Sequence, residues 1–326
     1  MYSVEKRFDE KSTEKRTRGQ EVHSKQFPIY ELNDANEVPG IGLGTFILKT
    51  PYESVYNAIK AGYRYIDTAL FFRNEAEVGR AISDAINQGI VTRKELFITG
   101  KLWNTYHERD RVELGLRRSL QNLSLSYFDL YEMHTPMAET EDGVFTCTDY
   151  VDTWKGMEDL QKKKLVKSIG VANFNSKQIN RILANCDVVP AVNEIEVNPS
   201  FPNLALVSYC QQHGIKVIAF SPMGYIVLRQ PGGNSKKPYP DDPYLTKLAQ
   251  KYKKTVYQIV LRYSVDRGFI PIPRSDNPDH MKENLDIFDF KLTQKEVQKI
   301  NEFDINSRVF DFGQFNNHLH FSFNHP

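Results

Sequence analysis

Short apolar segments alternate with longer amphipathic ones along most of the chain. Eight segments rich in β-branched and aromatic residues predict strands. Between them apolar residues recur at helical spacing, as in Val112, Leu116 and Leu120 after the third strand. Asn74 stands where an N-cap would begin the helix after the second strand. The predicted strands are residues 41–46, 63–69, 96–103, 127–134, 168–173, 191–198, 216–222 and 269–274.

Regular alternation of strand and helix indicates parallel pairing, because parallel neighbours are usually joined through a helix. Eight such units in about 250 residues favour an α/β fold of the (β/α)8 TIM-barrel type, a single domain with large loops at its C-terminal face. A doubly wound sheet would usually carry GxGxxG after its first strand. Here Gly42 and Gly44 are followed by Ile47 at the third glycine position, which argues against that fold.

The chain divides into three parts by composition. Residues 1–25 include 12 charged side chains, too many to bury a core, and predict a disordered arm. Residues 26–302 carry the barrel pattern, and residues 303–326 form a phenylalanine-rich tail expected to cover the barrel mouth. Three segments are longer than the connections that a plain barrel needs. They are residues 135–149, residues 223–242 and the tail from about residue 303.

Charge and composition exclude several classes of protein. The 326 residues hold 42 Lys and Arg against 41 Asp and Glu, so the basic surface typical of nucleic-acid binding is missing. No apolar run approaches the ~18 residues of a membrane span, and no secretory signal opens the chain. The three cysteines lack metal or disulfide spacing. We therefore expect a cytoplasmic protein with reduced thiols.

Polar residues stand at the C-terminal ends of most predicted strands. Barrel enzymes build their active sites there, since the strands converge on one face. An Asp, a Lys and a His on neighbouring strands predict a partly desolvated charged cluster. The residues are Asp67, Lys101, His134, Asn173, Asn198, Ser221 and Arg274.

Several runs, in this order and spacing, resemble the aldo-keto reductase superfamily. They are GYRYIDTA (62–69), NEAEVG (74–79), KLW (101–103), SIGVANFN (168–175), EVNPSF (196–201), AFSP (219–222) and IPRS (272–275). The resemblance extends from about Pro39 to about Phe290. The DYVDTWKGMEDL stretch (149–160) and the tail are most similar to the animal aldehyde, aldose and hydroxysteroid reductases.

This resemblance implies a barrel that binds NADP(H) and reduces the carbonyl of an aldehyde or ketone. The family uses Asp, Tyr, Lys and His, and three of these correspond to Asp67, Lys101 and His134. The tyrosine position is Phe72, which has no proton to donate. Losing a general acid typically costs ~10²- to 10⁴-fold in rate. His134, or a water held by Lys101, is then the candidate donor, and His134 is preferred because an imidazole titrates near neutrality.

Further departures gather at the nicotinamide end of the implied cofactor site. Ala172 replaces a usual serine, and Glu194 replaces a usual glutamine and can only accept hydrogen bonds when ionised. Asn198 stands where the family often has a second histidine. A single Tyr-to-Phe replacement would account for Phe72, but it would leave the departures at Ala172 and Glu194 unexplained.

The resemblance also implies the residues that hold the cofactor. Arg274 would clamp the 2′-phosphate and so favours NADP over NAD, while His280 replaces a frequent Arg. A purely structural role for Arg274 as a charged strand end is the alternative. The cofactor-binding candidates are Asn173, Glu194, Phe220, Ser221, Met223, Arg274, Ser275, His280 and Asn284.

The implied substrate pocket is apolar, as small-molecule sites usually are. Its candidates could instead be ordinary barrel packing. The histidines of the tail, His318, His320 and His325, lack acidic or cysteine neighbours, so no metal site is expected. The pocket candidates are Phe46, Phe71, Phe72, Trp103, Tyr225, Phe310 and Phe312.

Two functions compete on this basis. The first is an NADPH-dependent carbonyl reductase with an atypical proton donor, acting as a monomer on an apolar or aromatic small molecule. The second is an NADP(H)-binding protein of the same fold with little or no activity, favoured by Phe72, Ala172 and Glu194 occurring together.

Overall fold

The computed structural model describes residues 27–226 and 240–323. The charged arm and most of the 223–242 segment lie outside these residues. Twelve strands occur in the described part of the chain. They are β1 (Ile29–Glu31), β2 (Glu37–Pro39), β3 (Leu43–Gly44), β4 (Tyr65–Asp67), β5 (Phe97–Leu102), β6 (Phe128–Met133), β7 (Ala138–Glu139), β8 (Phe145–Thr146), β9 (Val166–Ala172), β10 (Val192–Glu196), β11 (Lys216–Phe220) and β12 (Ile270–Pro271).

Eight strands form one parallel sheet in the order β3-β4-β5-β6-β9-β10-β11-β12, and each overlaps one of the eight predicted segments. The sheet closes on itself. The N–H of Gly42 donates to the carbonyl of Pro271 (3.0 Å), and that of Gly44 donates to Pro273 (3.3 Å). The predicted single-domain (β/α)8 barrel is confirmed.

The glycines of β3 have a packing role at this closure. A Cβ atom on Gly42 would lie 2.5 Å from the ring of Tyr65, and one on Gly44 would lie 2.8 Å from the carbonyl oxygen of Ile272. Such distances require backbone or ring displacement. These glycines therefore allow the first strand to approach the last.

Ten α-helices are described, and they surround the barrel. Their apolar faces pack on the outside of the strands, as Leu116 and Leu120 of α3 do. They are α1 (Pro51–Ala61), α2 (Glu75–Asn87), α3 (Val112–Leu123), α4 (Tyr150–Lys162), α5 (Ser176–Leu183), α6 (Leu204–Gln212), α7 (Pro243–Tyr252), α8 (Val256–Asp266), α9 (Pro278–Leu285) and α10 (Gln294–Asn301). No described helix is long and apolar enough to cross a membrane.

The barrel interior is apolar at the N-terminal end of the strands. Tyr65, Phe97 and Val192 begin their strands there and form one cluster, over which Leu32 and Val38 of the antiparallel β1–β2 hairpin pack. This end is sealed, so the open end is the C-terminal face. Asn74 does precede α2 as predicted, but its side chain donates to the carbonyl of Thr45 (2.8 Å) and makes no capping bond.

Candidate active site

Four ionisable side chains meet inside the C-terminal half of the barrel. Asp67 ends β4, Lys101 lies on β5 opposite Glu132 of β6, and Glu194 lies on β10. The ammonium of Lys101 donates a hydrogen bond to Asp67, and its Nζ lies 3.2 Å from Glu194 Oε2 and 3.8 Å from Glu132 Oε2. We call these four residues the carboxylate cluster. None is more than 4% exposed.

The cluster holds three carboxyl groups around one ammonium, which controls its protonation. Burial raises the pKa of Glu132 and of Glu194 to about 8 despite the attraction of Lys101. Burial also raises the pKa of Asp67, as does the nearby Glu194. Burial alone would lower the pKa of Lys101, but the three carboxyl groups outweigh it and hold that pKa above its ordinary value. Lys101 is therefore charged at neutral pH, and the cluster keeps carboxyl protons.

Three carboxyl groups with oxygens within 4.8 Å of one another resemble a divalent-cation site. The Lys101 ammonium contacts all three and supplies the positive charge itself.

In the tail, His318 Nε2 lies 3.0 Å from the Ala138 carbonyl, and His318 Nδ1 accepts from the N–H of His320 (2.9 Å). Both ring nitrogens of His318 are thus engaged by backbone groups, and these contacts stabilise the tail. His325 lies outside the described residues.

His134 follows β6 and reaches the same mouth. Its ring meets Trp103, Phe72 and Phe71 edge-on, with centroids 5.2, 5.8 and 6.0 Å away. Burial, and then the charge of Lys101, lower the pKa of His134 well below its ordinary value. The imidazole is therefore neutral near pH 7, so the argument that it titrates near neutrality does not hold at this site.

Phe72 ends a short 3-10 helix, Leu70–Phe72, beside the cluster. The Nζ atom of Lys101 lies 5.6 Å from the centre of its ring, within the range of a cation–π contact. The ring therefore lies beside both Lys101 and His134. It contributes shape and apolar surface without a hydroxyl.

A cavity of about 420 Å³ opens above the cluster and has the size of an ordinary small-molecule site. The structure brings most of the predicted site residues to its wall. Those lining it are Asp67, His134, Asn173, Glu194, Phe220, Ser221, Met223, Arg274, Phe46, Phe71, Phe72, Phe310 and Phe312.

Seven residues predicted at the site do not line this cavity. Asn198 follows β10 and donates its amide to Glu196 Oε1 (3.0 Å). Lys101 lies beneath it within the cluster, and Trp103 stacks behind Phe71 at a centroid distance of 4.0 Å. Tyr225 donates its hydroxyl to the carbonyl of Arg308 (2.7 Å) and so positions the tail. The other three lie in the turn after β12 and on α9, beyond the cavity wall: Ser275, His280 and Asn284.

Four non-glycine residues at the cavity wall, Ile47, Asn173, Ser221 and Phe312, adopt left-handed backbone conformations that such residues seldom use. Asn173 has φ 64° and Ser221 has φ 45°, and such strain persists mostly where a site requires it. The Asn173 amide donates to the carbonyl of His134 (2.9 Å), while its buried Oδ1 has no hydrogen-bond partner among the described residues. At the exposed end Arg274 donates to the carbonyl of Ile47 (2.7 Å). The wall therefore presents a buried amide oxygen at one place and a guanidinium at another.

The tail closes over the mouth and is held by a buried carboxylate. Glu196 accepts hydrogen bonds from the N–H groups of Val309 (2.7 Å) and Phe310 (3.0 Å). Phe310 then meets Phe46 edge-on at a centroid distance of 5.7 Å, and Phe315 meets Phe145 of the β7–β8 hairpin at 5.7 Å. Phe310 and Phe315 therefore dock on the barrel rim, and Phe310 and Phe312 line the cavity.

Sequence reasoning missed Glu132 and Glu196. Both were detectable from strand periodicity, since successive side chains of a strand alternate between its faces. Glu132 lies two residues before His134, and Glu196 lies two residues after Glu194. Each therefore shares a face with a residue already expected at the site. Their partners, Lys101 and the tail backbone, depend on tertiary structure.

A (β/α)8 barrel with charged residues and an apolar cavity at its C-terminal face has the architecture of a barrel enzyme. The profile of the Aldo/keto reductase family matches residues 41–305, and the chain belongs to this family. It is 47% identical over 298 residues to aldo-keto reductase AKR2E4 of Bombyx mori, covering 89% of this chain and 96% of that protein. It is 40% identical over 312 residues to aldo-keto reductase family 1 member D1 of Mus musculus, covering 90% and 95%.

Solved structures show the same relationship. The crystal structure of Bombyx mori AKR2E4 in complex with NADP superposes with a TM-score of 0.89 at 46% identity, covering 92% of this chain and 100% of that one. The aldo-keto reductase AKR2E5 complexed with NADPH gives a TM-score of 0.88 at 39% identity, covering 92% and 94%. Both similarities extend through the whole barrel.

Proposed function

We propose that this protein is an NADP(H)-dependent carbonyl reductase acting on apolar or aromatic aldehydes or ketones. The observation that carries the proposal is the cavity itself. Asp67 and His134 reach its inner wall, Lys101 lies just beneath, and six phenylalanines are among the other lining residues. The family and its NADP-bound structures support the cofactor assignment.

The residues of the cavity wall suit a nicotinamide dinucleotide phosphate. The unpartnered amide oxygen of Asn173 can accept from a carboxamide, and the ring of Phe220 offers an aromatic face for stacking. Arg274 can pair with a phosphate, for which a guanidinium is well suited. When bound and reduced, the cofactor supplies a hydride to the carbonyl carbon.

The protein's own groups then act on the carbonyl oxygen. His134, neutral at pH 7, can donate one N–H to it and so orient the carbonyl. Lys101 places a permanent positive charge below the site, which stabilises negative charge developing on that oxygen. Phe46, Phe71 and Phe310 surround the position and exclude water.

The experiment combines binding and turnover on one sample. Quenching of tryptophan fluorescence should report NADPH binding, since Trp103 lies next to the cavity. NADPH oxidation is then measured on a panel of aromatic aldehydes, quinones and steroid ketones. Arg274→Ala should raise the Kd for NADPH by ~10- to 100-fold, the effect of a lost charged hydrogen bond, whereas Arg118→Ala, exposed on α3, should not. No turnover with any carbonyl would refute the proposal.

A second candidate is a protein that holds NADP(H) without turnover. It is favoured by Phe72, which removes the phenol beside Lys101, and by Ala172, whose methyl group cannot hydrogen-bond. Binding of NADPH together with inactivity across the whole panel would select this candidate.

We propose further that the protein works as a monomer in the cytosol. The family resemblance supports this. Analytical ultracentrifugation and subcellular fractionation test it, and a stable dimer or a membrane-bound fraction would contradict it.

A further inference from the structure

We propose that Glu194 is the acid that protonates the substrate oxygen, using a proton shared with Asp67 beside Lys101. The inference rests on the proposed reductase function and supplies the donor that Phe72 lacks. Glu194 and Asp67 both line the cavity, and both lie next to the same ammonium.

The charge balance of the cluster requires stored protons. Three ionised carboxyl groups and one ammonium would leave a net charge of −2 on four side chains of which none is more than 4% exposed. Such a charge is costly to bury, so carboxyl groups in this position take up protons instead. The raised pKa of Glu132 and Glu194, about 8 for each, agrees with this argument. At neutral pH Glu194 therefore carries a proton and can donate it.

The position of the proton follows from the contacts of Lys101. Asp67 has the shorter contact with the ammonium, which favours its ionised form, whereas Glu194 Oε2 is 3.2 Å away. The shared proton therefore resides on Glu194. Glu132 is completely buried below the cavity floor and cannot meet a substrate.

The remaining neighbours of Glu194 do not compete for this role. β9 and β11 place Ala172 and Ile218 opposite it in register, and neither can ionise. Tyr65 lies deeper and is fully buried, and burial raises the pKa of its hydroxyl further. His134 is neutral, and the pKa of Lys101 is raised. A carboxyl group with a pKa near 8 releases a proton more readily than any of these.

The step balances in atoms and electrons. The hydride carries two electrons to the carbonyl carbon, forming a C–H bond as the C=O π bond opens onto oxygen. That oxygen takes the proton of Glu194, so one O–H bond forms and the O–H bond of the carboxyl group breaks. Glu194 is left as a carboxylate beside Lys101 and regains a proton from solvent after the product leaves.

Glu194→Gln tests the role cleanly, since glutamine is the usual family residue at this position and preserves the shape. We expect kcat/KM to fall by ~10²- to 10⁴-fold, the usual loss for a general acid, with the Kd for NADPH changed little. Glu132→Gln is the matched control, because it removes a carboxyl from the same lysine below the cavity floor. Its kcat/KM should fall by no more than about ten-fold.

Three further readouts separate a proton donor from a structural group. In the parent, kcat/KM should decline as pH rises through about 8, and Glu194→Gln should lack this limb. Infrared spectra of the cofactor-free protein at neutral pH should show a protonated carboxyl band that Glu194→Gln diminishes. Adding Phe72→Tyr to the Glu194→Gln variant should raise its kcat/KM at least ten-fold, the scale expected for a positioned acid.

The outcomes distinguish the two proposals. A parent that binds NADPH but reduces no carbonyl refutes the reductase function and the donor role with it. An active parent with an equally active Glu194→Gln variant overturns the donor role alone. Loss of NADPH binding in Glu194→Gln that accounts for its whole loss of activity also overturns the donor role, because Glu194 would then act in cofactor binding.

Discussion

Replacing Glu132 by glutamine removes one ionisable group from the barrel interior and preserves the shape of the side chain. Burial raises the pKa of Glu132 from 4.5 to about 8. Between these values the folded protein keeps a proton that the unfolded chain releases. The free energy of unfolding therefore decreases as pH rises through this window, because the folded state binds more protons there. The glutamine variant, which cannot ionise, lacks this decrease.

The size of the effect follows from the width of the window. Each pKa unit corresponds to ~1.4 kcal/mol, so the span from 4.5 to about 8 corresponds to about 5 kcal/mol for an isolated group. Asp67 and Glu194 share protons with Glu132, and this coupling spreads the penalty over three groups. We expect Glu132→Gln to match the parent near pH 5 and to be more stable by about 2–4 kcal/mol near pH 8.5.

Urea unfolding followed by circular dichroism at these two pH values and equal ionic strength measures the difference. The comparison between variant and parent cancels the titration of groups outside the carboxylate cluster. Glu77→Gln, exposed on α2, controls for the loss of one negative charge and should show no pH-dependent gain. A stability difference between Glu132→Gln and the parent that is the same at both pH values would refute this account of the cluster.

Three other substitutions test the site. Replacing His134 by phenylalanine keeps the aromatic packing but removes the N–H that orients the carbonyl, so kcat/KM should fall by ~10²-fold with unchanged NADPH affinity; an unaltered kcat/KM would exclude that contact. Phe72→Tyr in the otherwise unchanged protein should raise kcat/KM by ~10-fold or more at about pH 9, where Glu194 is ionised. No increase would mean that residue 72 does not reach the substrate oxygen. Glu196→Gln weakens the hydrogen bonds to the N–H groups of Val309 and Phe310 by ~1–3 kcal/mol. Limited proteolysis should then cut the tail faster in the variant than in the parent. Equal cutting rates would contradict the role of Glu196 in holding the tail.

The strands and the main site residues were predictable because both are locally encoded. A buried parallel strand appears as a short run of β-branched and aromatic residues whatever surrounds it. Its C-terminal end then identifies the side chains at the mouth, which is why Asp67, His134 and Asn173 were expected where the structure has them. The resemblance contributed Phe72, which no periodicity distinguishes, and the phosphate-binding role of Arg274, whose position at a strand end was already expected.

The protonation of the site was not predictable from the sequence. It depends on how β4, β5, β6 and β10 align, because that register brings three carboxyl groups around Lys101. Trp103 and Tyr225 were expected to line the pocket but do not, for a similar reason. Trp103 packs behind Phe71, and Tyr225 is held by the tail, so neither contact follows from its neighbours in sequence.

The seam between Gly42 and Pro271 also constrains how the protein is made. The first and last strands of the barrel are the two that must meet, and Arg274 bonds to Ile47 across 227 residues of sequence. During synthesis a ribosome must release the last strand before the first can gain its second neighbour. The cavity includes residues from both sides of that seam, including Phe46 and Arg274. The NADP(H) site proposed there therefore cannot be complete until translation has passed β12. The cofactor is thus available to stabilise the finished barrel, and it cannot guide the folding of the nascent one.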